Sequence, residues 1–329
     1  MVDQSKLPFS LEFLVCENFM DVAKAIKDMK VRGAPAIGAA AAYGLALAAY
    51  KSKAVTVDEL INDLKKACAI LKSTRPTAIN LFWALDRVMN RALSVRGSVK
   101  EIVKAVIDEA NRIAEEDIEL NKRLGKIGAG LIDDGDIILT HCNAGALATV
   151  GYGTALGVIR AAVEEGKRVR VFATETRPKL QGARLTVFEL VKDEIPVTLI
   201  TDNMVGYCMY KGIIDKVIVG ADRVLADGHV INKIGTYTIA VLAKNHDVPF
   251  YVAAPSSSFD LKSKVTEVII EERDPNEVRQ VMGVQITLDE VNVFNPAFDI
   301  TPPEYVTAII TERGIITAPF KENIKRLIL

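Results

Sequence analysis

The chain has 329 residues, of which half are hydrophobic and a quarter are charged, and its formal net charge is −1. This length exceeds what one hydrophobic core usually supports, so we expect two domains of a globular protein. A charge so close to zero, with no basic tract, excludes a general attraction to nucleic acid or to an anionic membrane surface.

The first third of the chain predicts helices. The predicted helices span residues 20–29, 31–50, 56–71, 78–93 and 98–127. Pro35 lies near the start of the second helix, where its missing N–H does no harm, and Thr56 is a typical cap for the third. A break over residues 73–77 precedes the fourth helix. The uncharged residues 33–50 approach transmembrane length, but Ala and Gly give little transfer energy, which favours a tightly packed core helix.

After residue 134 the pattern changes to short β-branched runs that alternate with helical patterns. The predicted strands span residues 136–141, 169–173, 196–201, 216–220 and 249–253, and the helices between them span 152–165, 182–191, 205–211 and 235–245. Such alternation implies right-handed crossovers and a mostly parallel sheet. We therefore predict an α/β protein with a mainly helical domain over residues 1–125 and a sheet domain over residues 126–329.

Polar side chains follow every predicted strand. They are His141, Cys142 and Asn143; Glu175, Thr176 and Arg177; Asp202 and Asn203; Asp222 and Arg223; and Ser256, Ser257 and Ser258. In a parallel sheet these groups gather along one edge, which is where open α/β sheets bind their ligands. This edge is the predicted active site.

Two of these residues carry the most chemistry. A thiol at Cys142, near a helix N-terminus, would have a lowered pKa, although position alone equally allows a small buried cysteine. Asp222 either caps a turn or, beside apolar walls, has a raised pKa and donates a proton near neutral pH. His141 is expected to point away from Cys142, because neighbours along a strand face opposite sides. Asp202 with Asn203 is expected mainly to order a turn.

Groups that suit phosphate occur in both halves of the chain. They are Arg32, Gly33 and Ala34 before a helix, Arg75 before Pro76, Gln181 before Gly182, and Asn232 with Lys233 after the turn at Asp227 and Gly228. Helix N-termini and cationic side chains bind phosphate readily. Singly, each residue is equally explained as a solvated or capping group, but together they favour a phosphorylated small molecule as the substrate.

Other kinds of site are less well supported. Gly151, Gly153 and Gly157 form GxGxxxG, and Glu175 stands where a ribose-binding acid would, yet the first glycine lies nine residues past Cys142 rather than directly after the strand. No HExxH motif, His/Cys cluster or Walker A motif occurs, so we expect neither a metal nor a cofactor. The four cysteines form no CxxC pair, which favours a reducing, cytoplasmic setting, and the first ten residues do not form a signal peptide.

A series of segments, in order over nearly the whole chain, resembles one family. The segments are VRGAPAIGAAAAYGLALA, RPTAINLFWALDR, LTHCNAGALATVGYGTALGVI, ETRPKLQGARLT, ITDNM, VGADRV, NKIGTY, FYVAAP, EERDP and NPAFDITP. They resemble the methylthioribose-1-phosphate isomerases of methionine salvage, which are related to regulatory subunits of translation initiation factor 2B and to ribose-1,5-bisphosphate isomerases. Compared with that family, the chain begins about twenty residues late.

The resemblance implies a helical N-terminal domain, a Rossmann-like C-terminal domain and a homodimer. The family's catalytic cysteine and aspartate fall on Cys142 and Asp222. Its substrate contacts fall on Arg32, Gly33, Ala34, Arg75, Gln181, Asn232 and Lys233. The implied reaction is the aldose–ketose isomerisation of 5-methylthioribose 1-phosphate to 5-methylthioribulose 1-phosphate, with ring opening by the aspartate and hydrogen transfer assisted by the cysteine.

Two alternatives remain open: an isomerase of ribose 1,5-bisphosphate, and a noncatalytic regulatory subunit. An apolar segment over residues 81–85 with Trp83 favours a thioether over a second phosphate, because sulfur packs well against aromatic rings. The presence of both Cys142 and Asp222 favours a catalyst.

Overall fold

The computed structural model describes residues 1–75 and 79–329. These residues form two compact units. Unit 1 comprises Met1–Leu120 with Ala146–Gly151, and unit 2 comprises Asn121–Gly145 with Tyr152–Leu329. The division falls after Leu120, whereas the sequence predicts a domain boundary after residue 125, and that boundary stays a prediction.

The helices predicted for the first third of the chain are confirmed within a few residues. They are α1 (Phe19–Lys27), α2 (Ala34–Lys51), α3 (Val57–Ser73), α4 (Ile79–Ser94) and α5 (Val99–Ala129). Thr56 caps α3 as expected, since its side chain accepts the Glu59 N–H while the Glu59 carboxylate accepts the Thr56 N–H. Part of the break predicted over residues 73–77 lies outside the described residues, as does the predicted first residue of α4.

The small residues of α2 allow close packing within unit 1. A Cβ at Gly38 would lie only 2.9 Å from the Asn80 carbonyl oxygen, so α4 approaches the α2 backbone closely. Most of α2 is buried, including Ala41, Ala42 and Leu45, which are 0% exposed. This is the packed core helix that the composition predicts. Among the described helices, none is both long enough and apolar enough to cross a membrane.

Unit 2 is built on a mostly parallel sheet, as predicted. Its strands are β1 (Ile137–Thr140), β2 (Arg170–Thr174), β3 (Val197–Ile200), β4 (Lys216–Gly220), β7 (Phe250–Ala253), β12 (Ala308–Thr311) and β13 (Gly314–Ile316). Their order is β13-β12-β7-β4-β1-β2-β3, and β13 is the antiparallel strand of the set. The carboxyl ends of the parallel strands β1, β2, β3, β4 and β7 therefore share one edge.

The remaining elements of unit 2 include a second sheet that the sequence analysis did not predict. Its strands are β5 (Arg223–Leu225), β6 (Val230–Lys233), β8 (Phe259–Asp260) and β11 (Phe298–Thr301), in the order β11-β6-β5-β8. A hairpin is formed by β9 (Gln280–Val281) and β10 (Val284–Gln285). The helices are α6 (Ala155–Glu164), α7 (Val187–Lys192), α8 (Val205–Tyr210), α9 (Thr236–Asn245), α10 (Asn276–Arg279) and α11 (Phe320–Ile328). The first strand of the second sheet, β5, begins three residues after the end of β4.

Candidate active site

Cys142 lies just beyond the end of β1 in a left-handed backbone conformation with φ of 63°. Two threonines hold this conformation, which is uncommon for residues other than glycine. The Cys142 N–H donates to Thr176 Oγ1 at 2.9 Å, and the Cys142 carbonyl accepts the Thr186 hydroxyl at 2.6 Å. Cys142 is half-buried. The thiol is thus carried on a loop whose backbone is fixed from both sides.

The helix expected directly after this loop begins later than predicted. A short 3₁₀ turn occupies Ala146–Ala148, and α6 starts at Ala155. The Ala144 carbonyl accepts the N–H groups of Thr154 and Leu156, at 3.0 and 3.3 Å. The first turn of α6 is therefore capped by the loop backbone, and the thiol does not immediately precede an α-helix as the sequence pattern suggested.

Asn143 anchors the same loop to a buried charge network. Its side-chain amide donates to Glu189 Oε1 at 2.8 Å and to Thr186 Oγ1 at 3.2 Å. Glu189 is 5% exposed and forms an ion pair with Arg160 at 2.8 Å. A Cβ at Gly145 would overlap the Glu189 carboxylate, so only glycine fits there. The network holds the loop in place, because moving one partner away would leave a buried charge without compensation, which is energetically costly.

His141 is a buried structural histidine rather than a partner of the thiol. It is 2% exposed, and its ring nitrogens contact Thr174 Oγ1 at 2.6 Å and the Ile234 carbonyl at 2.9 Å. Because a carbonyl only accepts, Nε2 carries the proton. Burial lowers the pKa of His141 below its ordinary value, so the ring is neutral at pH 7. The expectation that His141 points away from the thiol agrees with these contacts.

The turn after β2 is ordered by Asp202, as predicted. One carboxylate oxygen of Asp202 accepts the Thr176 N–H at 2.8 Å, and the other accepts the Arg177 N–H at 2.7 Å. Thr176 has φ of 61°, so it too needs external support. Glu175 ends the same strand, and its pKa is raised by burial and by the nearby Asp202 carboxylate. The Glu175 carboxyl group, directly after β2, therefore keeps its proton to a higher pH than an exposed glutamate does.

Asp222 lies at the end of the strand next to the one that carries Cys142. In the parallel pairing of β1 with β4, Ile138 aligns with Lys216 and Leu139 with Val217. Beyond these pairs, a Cβ at Gly220 would lie 2.7 Å from the Ala144 Cβ, so the loop that carries Cys142 passes beside the end of β4, two residues before Asp222. Neighbouring strands are about 4.8 Å apart. The structure thus brings the two predicted catalytic residues to adjacent strand ends.

Gln181 is the predicted substrate residue with the clearest sign of an absent partner. It is 2% exposed, and neither its Oε1 nor its Nε2 has a hydrogen-bond partner among the described residues. A buried amide without partners costs about 1–3 kcal/mol. Gln181 precedes a π-helical segment, Gly182–Thr186, and such segments are frequent at functional sites. The Gln181 amide is therefore a buried polar group whose hydrogen-bonding capacity is not used by the described residues.

Asn232 and Lys233 end β6 in the second sheet and are both buried, at 5% and 8% exposure. The Lys233 ammonium donates to the Ala297 carbonyl at 2.7 Å and lies 4.6 Å from the centre of the Phe298 ring. The Asn232 amide donates to Thr236 Oγ1 at 3.0 Å. Consecutive strand residues face opposite sides. The side chains of the two predicted phosphate ligands are therefore held by different partners: Asn232 by Thr236, and Lys233 by Ala297 and Phe298.

Asp299, within the segment NPAFDITP, is a further candidate site residue that the sequence does not single out. It lies on β11 opposite Asn232, and its Oδ2 accepts the N–H groups of Gly235 and Tyr237 at 2.7 and 3.1 Å. Burial raises its pKa to about 6. Its Oδ1 is buried and has no hydrogen-bond partner in the described part of the chain. No spacing pattern marks this residue, because its partners lie at the start of α9, 62 and 64 residues earlier in the sequence.

The other predicted substrate residues belong to unit 1. Gly33 precedes α2 with φ of 95°, and a Cβ there would overlap the backbone of Ala148. Arg32 and Ala34 flank it and are half-buried. Arg75 follows α3 and is half-buried, whereas Pro76 and Thr77 of the same motif lie outside the described residues. Gly33 is therefore required by geometry, and Ala34 opens a helix whose first N–H groups can bind an anion.

The apolar segment around Trp83 is not available to a ligand as a whole. Leu81 and Leu85 are both 0% exposed and belong to the core of unit 1. Trp83 is 44% exposed, and the Arg87 guanidinium lies 5.5 Å from the centre of its ring. The leucines face inward because they recur at helical spacing on α4. Of the three residues Leu81, Trp83 and Leu85, only Trp83 is exposed enough to contact a thioether as the sequence predicts.

One glycine of the competing dinucleotide pattern, Gly157, lies at a close contact between two helices. Gly157 lies within α6, and a Cβ at Gly125 of α5 would be 2.7 Å from the Gly157 carbonyl oxygen. These glycines let two helices approach closely. Within residues 1–75 and 79–329, no group of three or more His, Cys, Asp or Glu side chains is placed to hold a metal ion.

Comparison with known proteins identifies the family. The model of the initiation factor 2 subunit family matches residues 30–318. A protein of Thermosipho africanus named methylthioribose-1-phosphate isomerase is 56% identical over 328 residues, which cover 99% of this chain and 94% of that protein. The similarity therefore includes both units and every candidate site residue.

Solved structures agree in fold over the full length. The 5-methylthioribose 1-phosphate isomerase of Pyrococcus horikoshii OT3 is 48% identical with a TM-score of 0.95, covering 99% of this chain and 92% of that chain. A structure from A. fulgidus described as the delta subunit of translation initiation factor eIF-2B is 54% identical with a TM-score of 0.92, covering 100% of this chain and 96% of that chain. The chain belongs to the initiation factor 2 subunit family, together with proteins named methylthioribose-1-phosphate isomerase.

Proposed function

We propose that the protein is an isomerase that converts 5-methylthioribose 1-phosphate into 5-methylthioribulose 1-phosphate. The observation that carries this proposal is the position of Cys142 and Asp222 at the carboxyl ends of the adjacent parallel strands β1 and β4. The full-length identity of 56% to a protein named for this activity supports the same substrate. The reaction is an intramolecular oxidoreduction and needs no external electron acceptor.

Asp222 opens the sugar ring. The substrate is a cyclic acetal phosphate without a free aldehyde, so the bond between C1 and the ring oxygen must break before hydrogen can move. In the proposal the protonated Asp222 carboxyl donates its proton to the ring oxygen as that bond breaks. Asp222 lies where β4 passes into the second sheet, and its N–H donates to the Ile231 carbonyl at 3.0 Å. Its backbone is therefore fixed relative to β6.

Cys142 assists the hydrogen transfer from C2 to C1. In one route its thiolate removes the C2 proton and forms an enediol-type phosphate, which is then protonated at C1. In the other route a hydride moves directly from C2 to C1, and the pair only transfers hydroxyl protons. Deuterium placed at C2 distinguishes them, since loss of label to water supports the first route and full retention at C1 supports the second.

The predicted polar residues are proposed to bind the phosphate and hydroxyl groups of the substrate. The buried amide of Gln181, which has no partner in the described structure, supplies a donor and an acceptor for sugar hydroxyls or phosphate. The Lys233 ammonium, 8% exposed, supplies a positive charge with little competing water. We include Asn232, Arg75 and the Arg32, Gly33 and Ala34 segment in the same role.

The variants Cys142→Ser and Asp222→Asn test the catalytic assignment. Both should lower kcat by about 10²-fold or more, because each removes a proton-transferring group, while substrate binding changes little. Cys208→Ser is the matched control, since Cys208 is buried at 5% exposure in the core of unit 2. Wild-type kcat in either catalytic variant would contradict the assignment.

A second candidate function is a regulatory subunit of translation initiation factor 2B, which the description of the A. fulgidus structure favours. A regulatory subunit needs neither a thiol nor a carboxyl group at adjacent strand ends. The absence of turnover by a correctly folded protein, with both methylthioribose 1-phosphate and ribose 1,5-bisphosphate, would favour this candidate.

We further propose that the protein is a cytoplasmic homodimer. The cytoplasmic location is supported by four cysteines with no paired spacing. The homodimer is supported by exposed apolar side chains on consecutive elements of unit 2, which isolated soluble domains usually avoid. They are Leu199, Met204, Tyr207 and Tyr210, at 49%, 47%, 62% and 72% exposure.

A further inference from the structure

A continuous chain of hydrogen bonds connects Cys142 with the turn that follows Lys233. The Cys142 N–H donates to Thr176 Oγ1 at 2.9 Å, and Thr176 Oγ1 lies 3.2 Å from Thr174 Oγ1. Thr174 Oγ1 lies 2.6 Å from His141 Nδ1, and His141 Nε2 lies 2.9 Å from the Ile234 carbonyl. Three side chains thus connect two parts of the candidate site.

The Ile234 carbonyl at one end and the buried, neutral ring of His141 set the direction of the bonds that His141 forms. The Ile234 carbonyl only accepts, so His141 Nε2–H donates to it. In the neutral ring Nδ1 then accepts the Thr174 hydroxyl proton. Because that proton is committed, the Thr176 hydroxyl donates either to Thr174 Oγ1, at 3.2 Å, or to the Thr174 carbonyl, at 3.4 Å. Thr176 Oγ1 accepts the Cys142 N–H. Each of the three side chains then has a partner, with His141 as the neutral tautomer that carries its proton on Nε2.

Burial makes this chain costly to break. Thr174 and Thr176 are 0% exposed and His141 is 2% exposed, so water does not replace a lost partner. The neighbouring backbone leaves little space for rearrangement. A Cβ at Gly235 would be 3.0 Å from the His141 ring, and a Cβ at Gly182 would overlap the Thr174 carbonyl oxygen.

The far end of the chain is held a second time. The Gly235 N–H donates to Asp299 Oδ2 at 2.7 Å. Lys233 directly precedes this turn, and its ammonium donates to the carbonyl of Ala297, the residue before the strand of Asp299. A shift of the turn therefore shifts Lys233.

We propose that His141, Thr174 and Thr176 are positioning residues that hold the Cys142 loop at a fixed place relative to the Lys233 turn. The proposal rests on the proposed function for the roles of Cys142 and Lys233. In it, the hydrogen-transferring group and a phosphate-binding group are aligned by this chain before substrate binds. Small misplacements of reacting groups cost about 10²-fold in rate, so such alignment has kinetic value.

The test is Thr174→Val, which removes one hydroxyl from the middle of the chain and keeps the shape of the side chain. Thr301→Val is the matched control, because Thr301 is also 0% exposed on a strand of unit 2 and its Oγ1 has no hydrogen-bond partner among residues 1–75 and 79–329. His141→Leu and His141→Gln form a second pair, since the glutamine amide can still donate to the Ile234 carbonyl. Readouts are kcat, KM, the Kd of inorganic phosphate by calorimetry, and the melting temperature.

Thr174→Val and His141→Leu should each lower kcat by about 10- to 100-fold and weaken phosphate binding several-fold. Thr301→Val should leave kcat, KM and the phosphate Kd unchanged, and His141→Gln should recover part of both losses. The proposal is overturned if Thr174→Val keeps the wild-type kcat and phosphate Kd, or if its only effect is a lower melting temperature.

The phosphate readout separates this inference from the proposed function. If wild-type protein binds phosphate but does not turn over the sugar phosphate, the proposed function fails. Weaker phosphate binding by Thr174→Val and His141→Leu, but not by Thr301→Val, would still support the chain of hydrogen bonds. If wild-type protein binds no phosphate, both proposals fail.

Discussion

Single residues of the site owe their properties to burial more than to their neighbours in sequence. Asp299 shows this most clearly, because burial raises its pKa from 3.8 to about 6 even though two backbone N–H groups and Lys233 oppose the rise. The folded protein therefore keeps a proton between pH 4 and 6 that the unfolded chain has already released. Stability from this group is full below the unfolded pKa and falls as pH rises toward the folded pKa.

Asp299→Asn should therefore change stability in a pH-dependent way. A shift of about two pKa units corresponds to about 2–3 kcal/mol, so the variant should exceed the wild type by up to this amount at pH 7 and match it at pH 4. The amide keeps an oxygen that can accept the Gly235 and Tyr237 N–H groups. Denaturant unfolding at both pH values measures the difference. A stability difference that is the same at both pH values would contradict the raised pKa.

The sequence identified the residues of the thiol loop but not the geometry that makes them useful. Cys142 and Asp222 were predicted at strand ends because polar residues follow apolar β-branched runs. The left-handed conformation of Cys142, with φ of 63°, depends on Thr176 and Thr186, which follow it by 34 and 44 residues. Such distant partners leave no periodic signal in a sequence.

At the scale of elements, the main sheet was predictable and the second sheet was not. The five predicted strands agree with β1, β2, β3, β4 and β7 within two residues at each end. The strands of the second sheet have two to four residues, too few for an alternation pattern to emerge. The sequence does contain one signal for this sheet, the Asp227-Gly228 pair between β5 and β6, since such a pair commonly joins two strands of a hairpin.

Two glycines test the packing around the site at this scale. Gly182→Ala should destabilise the protein by about 3 kcal/mol or more, because the new Cβ would overlap the Thr174 carbonyl oxygen at the end of β2. Gly206→Ala on α8 should stabilise it by about 0.5–1 kcal/mol, since the nearest atoms, of Leu242, would be 3.6 Å from the new Cβ.

Guanidinium unfolding followed by circular dichroism compares the two variants directly. Equal stability of Gly182→Ala and the wild type would mean that the π-helical segment does not pack against β2 as described. A loss of stability in Gly206→Ala would show instead that α8 does not tolerate a methyl group on that face.

For the whole molecule, the proposed homodimer is tested through α8. Tyr207 and Tyr210 are one helical turn apart, so both project from the same face, at 62% and 72% exposure. The wild type should have twice the chain mass of 35.8 kDa by light scattering. Replacing both tyrosines with Asp should yield the single-chain mass, because a buried interface does not accept unpaired charges.

Tyr50→Asp is the control for this experiment, since Tyr50 is 66% exposed on α2 of unit 1. It should leave the mass unchanged. A wild-type protein with the mass of one chain would contradict the homodimer, and a double variant that keeps the dimer mass would exclude the face of α8 as its interface.

The central claim is that the whole molecule acts on a methylthio sugar phosphate through Cys142 and Asp222. In the most direct measurement, the purified wild-type protein is incubated separately with methylthioribose 1-phosphate and with ribose 1,5-bisphosphate. The formation of the ketose product is followed by NMR. We predict conversion of the thio-sugar to 5-methylthioribulose 1-phosphate at a kcat/KM at least about 10²-fold above that for the bisphosphate. Conversion of the bisphosphate alone, or of neither compound by a folded protein, would contradict the claim.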